Sequence, residues 1–278
     1  MPLTGKIAGA LIIAISILAL FSPMLTSHEP EKIDLDSIKQ PPGPGHLFGT
    51  DNKGRDIFSR VLYGGRISIS IAIIAALISM SIGLLIGLCA GYFGGIVDTL
   101  VMAIVDLILA FPSLLLAIGV SIIFKSPGTY TVMIAIAFVG WASFARLIRG
   151  QVLTLKDAAY IESARAIGCS RARILFVHLM PQCLPIGLVM AGIKLGGYVL
   201  TEASLSFLGL GAQPPMPTWG SMISMNRAYI ASEPWMVLFP GLAIAVTTLC
   251  FNMLGDALRD KYGLPATAEK IKIQLCFP

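Results

Sequence analysis

The sequence predicts an all-α, polytopic membrane protein with six transmembrane helices. Three observations indicate this class: only 13% of the 278 residues are charged, 56% are hydrophobic, and the mean hydropathy is +0.83. Soluble domains carry about 25% charged residues. A helix needs about 20 mostly apolar residues to span a bilayer, so uncharged runs of that length are candidate spans. Six such runs are present, at 7–27, 67–90, 107–124, 126–145, 174–193 and 234–255.

The first run is expected to be an uncleaved span. Its length also suits a signal peptide, but it lacks an A-x-A cleavage pattern. The polar segment 26–66 follows, and its first half is rich in acids and prolines, which favours an extended chain. Its second half is expected to form a short helix on the membrane surface that seats the second span. The apolar face of that helix would hold Ile57, Val61 and Leu62, with Arg55, Asp56 and Arg60 opposite or beside it.

The third run belongs to a longer apolar stretch, 96–124, which follows a glycine-rich turn at 91–95 and is interrupted by Pro112. Asp98 is expected at the membrane edge, and Asp106 deeper in the span. An ionisable group at depth usually faces protein or water rather than lipid. Asp106 is therefore either a structural residue that bonds a neighbouring helix or part of a pathway.

A polar, basic island at 151–181 separates the fourth and fifth runs. It predicts a short helix stopped by Gly168, because glycine tolerates the left-handed conformation of a helix C-terminus. Ser170 is expected to cap a second helix, and Pro181 to bend the chain towards the fifth run. Such a helix-bend-helix is a compact knob that suits a socket on a soluble protein. Small or apolar positions mark its first helix: Ala158, Ala159, Ile161, Ala164 and Ile167.

The fifth run is expected to continue past Lys194 towards Leu208. Glu202 lies eight residues after Lys194, about 80° around a helix and about 12 Å along its axis, so the two cannot pair directly. The segment 212–233 is rich in proline and predicts a constrained external loop. Trp219 and Trp235 fit an interfacial aromatic belt.

Lysine and arginine counts favour cytoplasmic N- and C-termini in a bacterial or archaeal inner membrane. With the N-terminus inside, the inner segments hold 11 of these residues and the outer segments hold 8. The short basic island contributes most of this asymmetry.

Several kinds of chemistry are disfavoured by the motifs. The sequence has no phosphate-binding G-x-x-x-x-G-K-[ST] loop and no H-E-x-x-H, and its five cysteines lack metal-site spacing. His28, His46 and His178 are far apart in the chain, so neither a metal site nor an enzyme is expected. The basic residues form no dense patch with interleaved aromatics, so nucleic acid is not an expected partner.

Two classes of transporter remain. One is a translocation pathway driven by a partner that docks on the knob. The other is an autonomous ion-coupled secondary transporter, which is less favoured because such folds commonly contain internal repeats and no convincing repeat is present.

The island resembles the cytoplasmic motif of ABC importer permeases, E-A-A, then G, then I-x-L-P. Here the motif reads Glu162-Ser163-Ala164, then Gly168, then His178-Leu179-Met180-Pro181, with the spacing intact. Five more stretches resemble the C-type subunit of the dipeptide/oligopeptide/nickel permease family, at 47–66, 90–112, 202–211, 211–220 and 252–260. The resemblance covers roughly residues 7–260, and the tail after Lys261 departs from it.

This resemblance implies the type I ABC importer permease fold. It divides the chain into a first span with an external segment (1–66), a permease domain (67–260) with a cytoplasmic coupling segment (151–181), and a cytoplasmic tail (261–278). The implied partners are a second, homologous permease, two ATPase subunits, an extracytoplasmic substrate-binding protein and membrane lipid. ATP and Mg²⁺ would bind the ATPase subunits, and no cofactor is expected in this chain.

The resemblance also implies roles for individual residues. The helices within 157–173 would dock on the ATPases, and the expected coupling residues are Tyr160, Glu162, Ser163, Ala164, Arg165 and Gly168. Lys194, Glu202 and Asp106 are candidates for pathway or inter-subunit contacts. Lys194 would meet either a substrate carboxylate or the partner permease. The implied substrates are dipeptides and oligopeptides, with nickel or a metal chelate as the alternative.

Overall fold

The computed structural model describes residues 3–124 and 126–262, so most of the predicted tail lies outside the described residues. Every regular element within those ranges is helical, apart from one isolated β-bridge between Thr50 and Asp56. The main helices are α1 (Leu3–Leu20), α2 (Ile57–Phe93), α3 (Gly95–Ala110), α4 (Ser113–Ile123), α5 (Thr129–Leu155), α6 (Ala159–Ala166), α7 (Met180–Phe207), α8 (Trp219–Asn226) and α9 (Trp235–Lys261). Shorter turns lie at Ser22–Leu25, Leu35–Ser37, Arg171–Arg173 and Arg227–Tyr229.

The count of apolar helices confirms the predicted class. Five helices are long and apolar enough to cross a membrane, and α3 and α4 form a bent pair that counts as a sixth span. The 99° bend in this pair lies at Phe111 and Pro112. Proline lacks the N–H that a helix interior needs, and it drives the residue before it into an extended conformation. Pro112 therefore breaks the third span, as its place in the sequence predicted.

Helix α2 differs from the prediction, because the expected surface helix and the second span form one continuous helix of 37 residues. Gly64 and Gly65 lie within this helix. Their role is close packing: a Cβ added to Gly65 would lie 2.8 Å from the ring of Trp219. Glycine is needed here because no larger residue leaves room for the indole.

Two polar segments cover the end of the bundle where α2 begins. The first is the part of 26–66 that precedes α2, and the second is the loop at 212–233. The Trp219 indole is buried and donates a hydrogen bond of 2.9 Å to the carbonyl oxygen of Val61. Trp235 donates to the carbonyl oxygen of Thr50 at 3.3 Å. The expectation that Trp219 belongs to an aromatic belt is therefore wrong, because this side chain is enclosed by protein.

The first of these segments carries a buried ionic cluster. The Arg55 guanidinium donates to the Asp51 carboxylate at 2.8 Å, and Arg60 donates to the carbonyl oxygen of Pro30 at 2.7 Å. Both arginines and Asp56 are almost fully buried. The prediction that Arg55, Asp56 and Arg60 lie on the polar side of a surface helix is thus wrong. The loop folds over the start of α2 and replaces water as their hydrogen-bonding partner.

The fifth span is one continuous helical run. It extends from Arg171 to Phe207, which confirms that the span continues past Lys194. Pro181 lies inside this run, directly after a wider π-helical stretch, Ile174–Leu179. The hydrogen bonds of that stretch join residues five apart rather than four, and the helix continues through the proline. The predicted bend at Pro181 is therefore wrong.

Helices α2 and α5 form the centre of the bundle and approach each other closely. Gly83, Gly87 and Gly91 of α2 lie against α5, where a Cβ on Gly87 would lie 2.6 Å from the Ala145 carbonyl oxygen. Small residues allow this approach, which is common between membrane helices.

Candidate functional site

Helix α6 and the bend after it form the predicted knob. The helix ends in a Schellman motif: the Cys169 N–H donates to the Ala164 carbonyl, and the Gly168 N–H donates to the Arg165 carbonyl, both at 3.0 Å. Gly168 has φ +84°, the left-handed conformation that glycine adopts without strain. The Ser170 hydroxyl then accepts from the Arg173 N–H at 3.3 Å. The stop at Gly168 and the cap at Ser170 are both confirmed.

The inward face of the knob packs against the membrane helices. Ile161 is fully buried and Ala164 is 5% exposed. They share one hydrophobic cluster with residues of α2, α5 and the start of the fifth span: Leu84, Leu88, Ile148, Val152, Ile174, Leu175 and Leu179. The knob is therefore packed on three spans, and a displacement of the knob would press directly on them. Ala164 serves this packing, so it is not available as an outward contact.

The outward face presents the remaining candidate coupling residues. Tyr160, Glu162, Ser163, Arg165 and Gly168 are all exposed. The Ser163 hydroxyl donates to its own helix backbone, and Arg165 donates to the Lys156 carbonyl at 3.2 Å. Glu162 forms no ion pair within residues 3–124 and 126–262. Its carboxylate is thus available to a partner.

Ile167 lies outside the buried face of this helix. It is one of the small or apolar positions that mark the helix in the sequence, and it is 81% exposed. It is the C-terminal cap residue of α6, where the backbone leaves the helical path, so helical periodicity no longer fixes its direction. An exposed isoleucine on the outward face adds an apolar contact to the candidate docking surface.

Lys194 lies in a cavity of about 350 Å³ between α3, α4, α5 and α7. Its ammonium group lies 3.5 Å from the Ser143 hydroxyl and has no carboxylate partner in the described residues. The other lining residues named here are apolar or neutral and include Phe111, Tyr198 and Thr201. The cavity therefore offers one positive charge in neutral surroundings. Ser143 and Tyr198 escaped the sequence analysis because neither has a motif.

The other two pathway candidates do not join Lys194. Glu202 is fully buried, and one of its carboxylate oxygens accepts from the Ser206 hydroxyl at 2.7 Å. Glu202 and Lys194 form no direct ion pair, as the helical spacing predicted. Asp106 pairs with Arg146 of α5, and both side chains are at least half exposed. Asp106 thus links α3 to α5 and lies outside the cavity lining.

A second ion pair joins the same two helices nearer the knob. Arg149 donates to both carboxylate oxygens of Asp98, at 2.9 and 2.6 Å. The two residues are 51 positions apart, and no sequence pattern predicts that they meet. The pair fixes the start of α3 against the end of α5, next to the cluster that holds the knob.

A known family matches most of the chain. Residues 83–263 match the model of the binding-protein-dependent transport system inner membrane component family. This match covers the candidate knob, the cavity and the last span. The first span, the whole first polar segment and the first part of α2 precede it.

Individual relatives match over nearly the whole chain. The dipeptide transport system permease protein DppC of Alkalihalophilus pseudofirmus is 44% identical over 255 residues, 91% of this chain and 84% of the relative. The glutathione transport system permease protein GsiD of Salmonella typhimurium is 46% identical over the same shares. The GsiD of Escherichia coli O6:K15:H31 is 44% identical over 254 residues.

A solved structure supports the fold. The MetNI methionine ABC transporter, in inward-facing conformations, matches with a TM-score of 0.56 at 21% identity, over 72% of this chain and 95% of the matched chain. At that identity the likeness concerns the architecture alone. The type I importer permease fold implied by the sequence motifs is confirmed.

Family, fold and apolar helices together define the chain as a multi-pass inner-membrane permease. As a permease subunit it is not itself the ATPase, and the family implies ATPase and substrate-binding subunits as partners. The chain belongs to the binding-protein-dependent transport system inner membrane components, as a permease subunit of an ABC importer of the dipeptide/oligopeptide family.

Proposed function

We propose that the chain forms, with a second and homologous permease, the translocation pathway of an ATP-driven importer of dipeptides and oligopeptides. Two ATPase subunits bind ATP and Mg²⁺, and one of them docks on the knob formed by residues 157–173. A substrate-binding protein delivers peptide at the opposite end of the bundle. The names of the relatives, a dipeptide and a glutathione permease, support a peptide substrate.

The docking step rests on the outward face of the knob. Glu162 is exposed without an ion pair among the described residues, and Tyr160 and Ile167 expose apolar surface elsewhere on the knob. A surface with a free carboxylate and exposed apolar side chains suits a basic and apolar groove, where the carboxylate would form charge-assisted hydrogen bonds. ATP-driven closure of the ATPases would move the knob. Because Ile161 and Ala164 are packed against three spans, the spans would move with it.

The orientation follows from the knob. If the knob lies in the cytoplasm, α1 begins and α9 ends at the cytoplasmic side. Both chain termini are then cytoplasmic. The end covered by Trp219 and Trp235 then faces outward, where a substrate-binding protein would approach. The basic residues of the island favour this orientation.

Peptide recognition is supported by Lys194. Its ammonium group lies in a cavity lined by several spans and lacks a carboxylate partner within the described chain. A charge within a membrane span costs free energy. Such a residue therefore usually lines a pathway or contacts a partner. We assign it to the carboxylate of the substrate. Glu202 and Asp106 have partners of their own and would act as structural contacts.

ATP hydrolysis by the complete importer in lipid tests the substrate class. The assay compares a dipeptide library with free and chelated nickel, at a fixed concentration of the substrate-binding protein. We expect peptides to stimulate hydrolysis and nickel to leave it at the basal rate. Stimulation by nickel or its chelate alone would overturn the peptide assignment and leave the importer architecture in place.

A further inference from the structure

Two histidines and one carboxylate meet outside the knob and the cavity. One donor atom each from His28, His46 and Asp56 lies within 4.8 Å of the other two. His28 belongs to the segment after α1, His46 to the loop that follows it, and Asp56 is the N-cap residue of α2. Three separate parts of the chain thus converge at the start of the second span.

Two of the three donors are held in place by other contacts. One Asp56 oxygen accepts from the Ser59 N–H at 2.7 Å, which is the cap of α2, and the other lies 2.9 Å from Nδ1 of His46. Asp56 is 4% exposed and the His46 side chain 13%. The His28 ring is exposed and its centroid lies 4.7 Å from that of His46. His28 therefore closes the group from the solvent side.

This donor set matches a divalent transition metal. Imidazole nitrogen binds Zn²⁺, Cu²⁺ and Ni²⁺ well, and two imidazoles with one carboxylate are a common set for Zn²⁺. In a tetrahedral site with bonds of about 2.1 Å, the ligand atoms lie about 3.4 Å apart. The three donor atoms lie within 4.8 Å of one another, so a movement of the exposed His28 ring by about 1.4 Å reaches that spacing.

We propose that His28, His46 and Asp56 bind one divalent transition metal ion of the Zn²⁺ class, with a fourth position open to water. The ion would tie the segment after α1 to the N-terminus of α2. It is separate from the transport pathway, and the proposal does not depend on which substrate the importer carries. Sequence spacing gave no sign of the site, because its ligands are 18 and 10 residues apart in a loop without regular structure.

Metal binding to the full-length chain, purified with a non-histidine tag and stripped with chelator, tests the proposal. Zn²⁺ is titrated against a competing dye, and Co²⁺ absorption reports the ligands. We expect one ion per chain, a visible Co²⁺ band without thiolate charge transfer, and an increase in the temperature of unfolding. His28→Ala should weaken binding by at least about tenfold, the loss typical of a damaged metal shell.

Two further variants separate binding from folding. Asp56→Asn keeps a side-chain oxygen for the helix cap, since asparagine caps as well as aspartate, but removes the charge. It should lose metal affinity while melting normally without metal. His178→Ala, which removes the third histidine, should bind like the wild type. Unchanged Zn²⁺ affinity in both His28→Ala and Asp56→Asn, or a thiolate band in the wild type, would overturn the proposal.

Discussion

At the scale of single residues, the chain shows which features local chemistry fixes and which need distant partners. Gly168 and Ser170 were predicted correctly because a glycine stop and a serine cap depend on bonds within five residues. Trp219 and Arg60 were misjudged because their partners lie far away in sequence, at Val61 and Pro30. The residue type alone does not show whether an arginine is buried or exposed, because that depends on the fold.

The charge of Lys194 gives the first prediction. Lys194→Met keeps the length of the side chain and removes the ammonium group from the cavity. We expect uptake of peptides with a free C-terminal carboxylate to fall about tenfold or more, which corresponds to the loss of a hydrogen bond to a charged group, about 1.5–3 kcal/mol. Uptake of C-terminally amidated peptides should change little. Competitive uptake into proteoliposomes measures both.

A neutral position in the same cavity supplies the control. The Thr201 hydroxyl donates to the Gly197 carbonyl of its own helix, so Thr201→Val alters the lining without removing a charge. It should preserve the preference for free carboxylates. Unchanged uptake and unchanged preference in Lys194→Met would contradict the carboxylate assignment and favour a contact between the two permeases.

The ion pair of Asp98 and Arg149 gives the second prediction. Asp98→Asn or Arg149→Gln should each lower the free energy of unfolding by about 1.5–3 kcal/mol, because each leaves a charge-assisted hydrogen bond unmade. The exchanged pair Asp98→Arg with Arg149→Asp should recover part of this loss. Recovery will be incomplete, since an acidic residue suits the first turn of α3 better than a basic one.

A double-mutant cycle on the purified complex measures this coupling. Thermal unfolding in detergent gives the stability of each variant. If the losses of Asp98→Asn and Arg149→Gln simply add in the double variant that carries both changes, the contact between α3 and α5 does not depend on this ion pair.

At the scale of elements, the apolar runs predicted the spans well but not their ends. Hydropathy locates the part of a helix that lies in lipid, and α2, α5 and α7 all continue beyond it into polar surroundings. The break at Pro112 was visible because proline acts locally. The joining of the expected surface helix to the second span was not, because Gly64 and Gly65 serve the packing of Trp219 rather than a turn.

The close approach of α2 and α5 gives the third prediction. A Cβ on Gly87 would lie 2.6 Å from the Ala145 carbonyl oxygen and 2.9 Å from the Cβ of Ile148. Gly87→Ala should therefore force the helices apart and lower stability by about 1–3 kcal/mol, the usual cost of overpacking. The unfolding temperature of the purified complex reports the effect.

Gly150 of α5 is the matched control. A Cβ there meets nothing within 4 Å, so Gly150→Ala should be neutral or stabilise by about 0.5–1 kcal/mol through helix propensity. Equal effects of the two substitutions would mean that the glycines of α2 do not set the distance between the helices.

At the scale of the whole molecule, α2 connects two functionally distinct ends. Its first residues are covered by the segments that carry Trp219 and Trp235, and its last turns contact the knob through Leu84 and Leu88. Under the proposed function, the packing between the knob and the spans would let a movement at one end reach the other. Sequence motifs identified the knob, while the cavity around Lys194 required the packing of four helices.

Vectorial transport by the complete importer tests the central claim, that Glu162 and its neighbours transmit ATP hydrolysis to the spans. Peptide uptake and peptide-stimulated ATP hydrolysis are measured in proteoliposomes for the wild type, Glu162→Ala and Asp260→Ala, which removes an exposed carboxylate outside the knob. We predict at least a tenfold loss of both activities in Glu162→Ala, because a hydrogen bond to a charged group contributes about 1.5–3 kcal/mol, and no change in Asp260→Ala. Full uptake and full stimulation in Glu162→Ala would contradict the role of the knob.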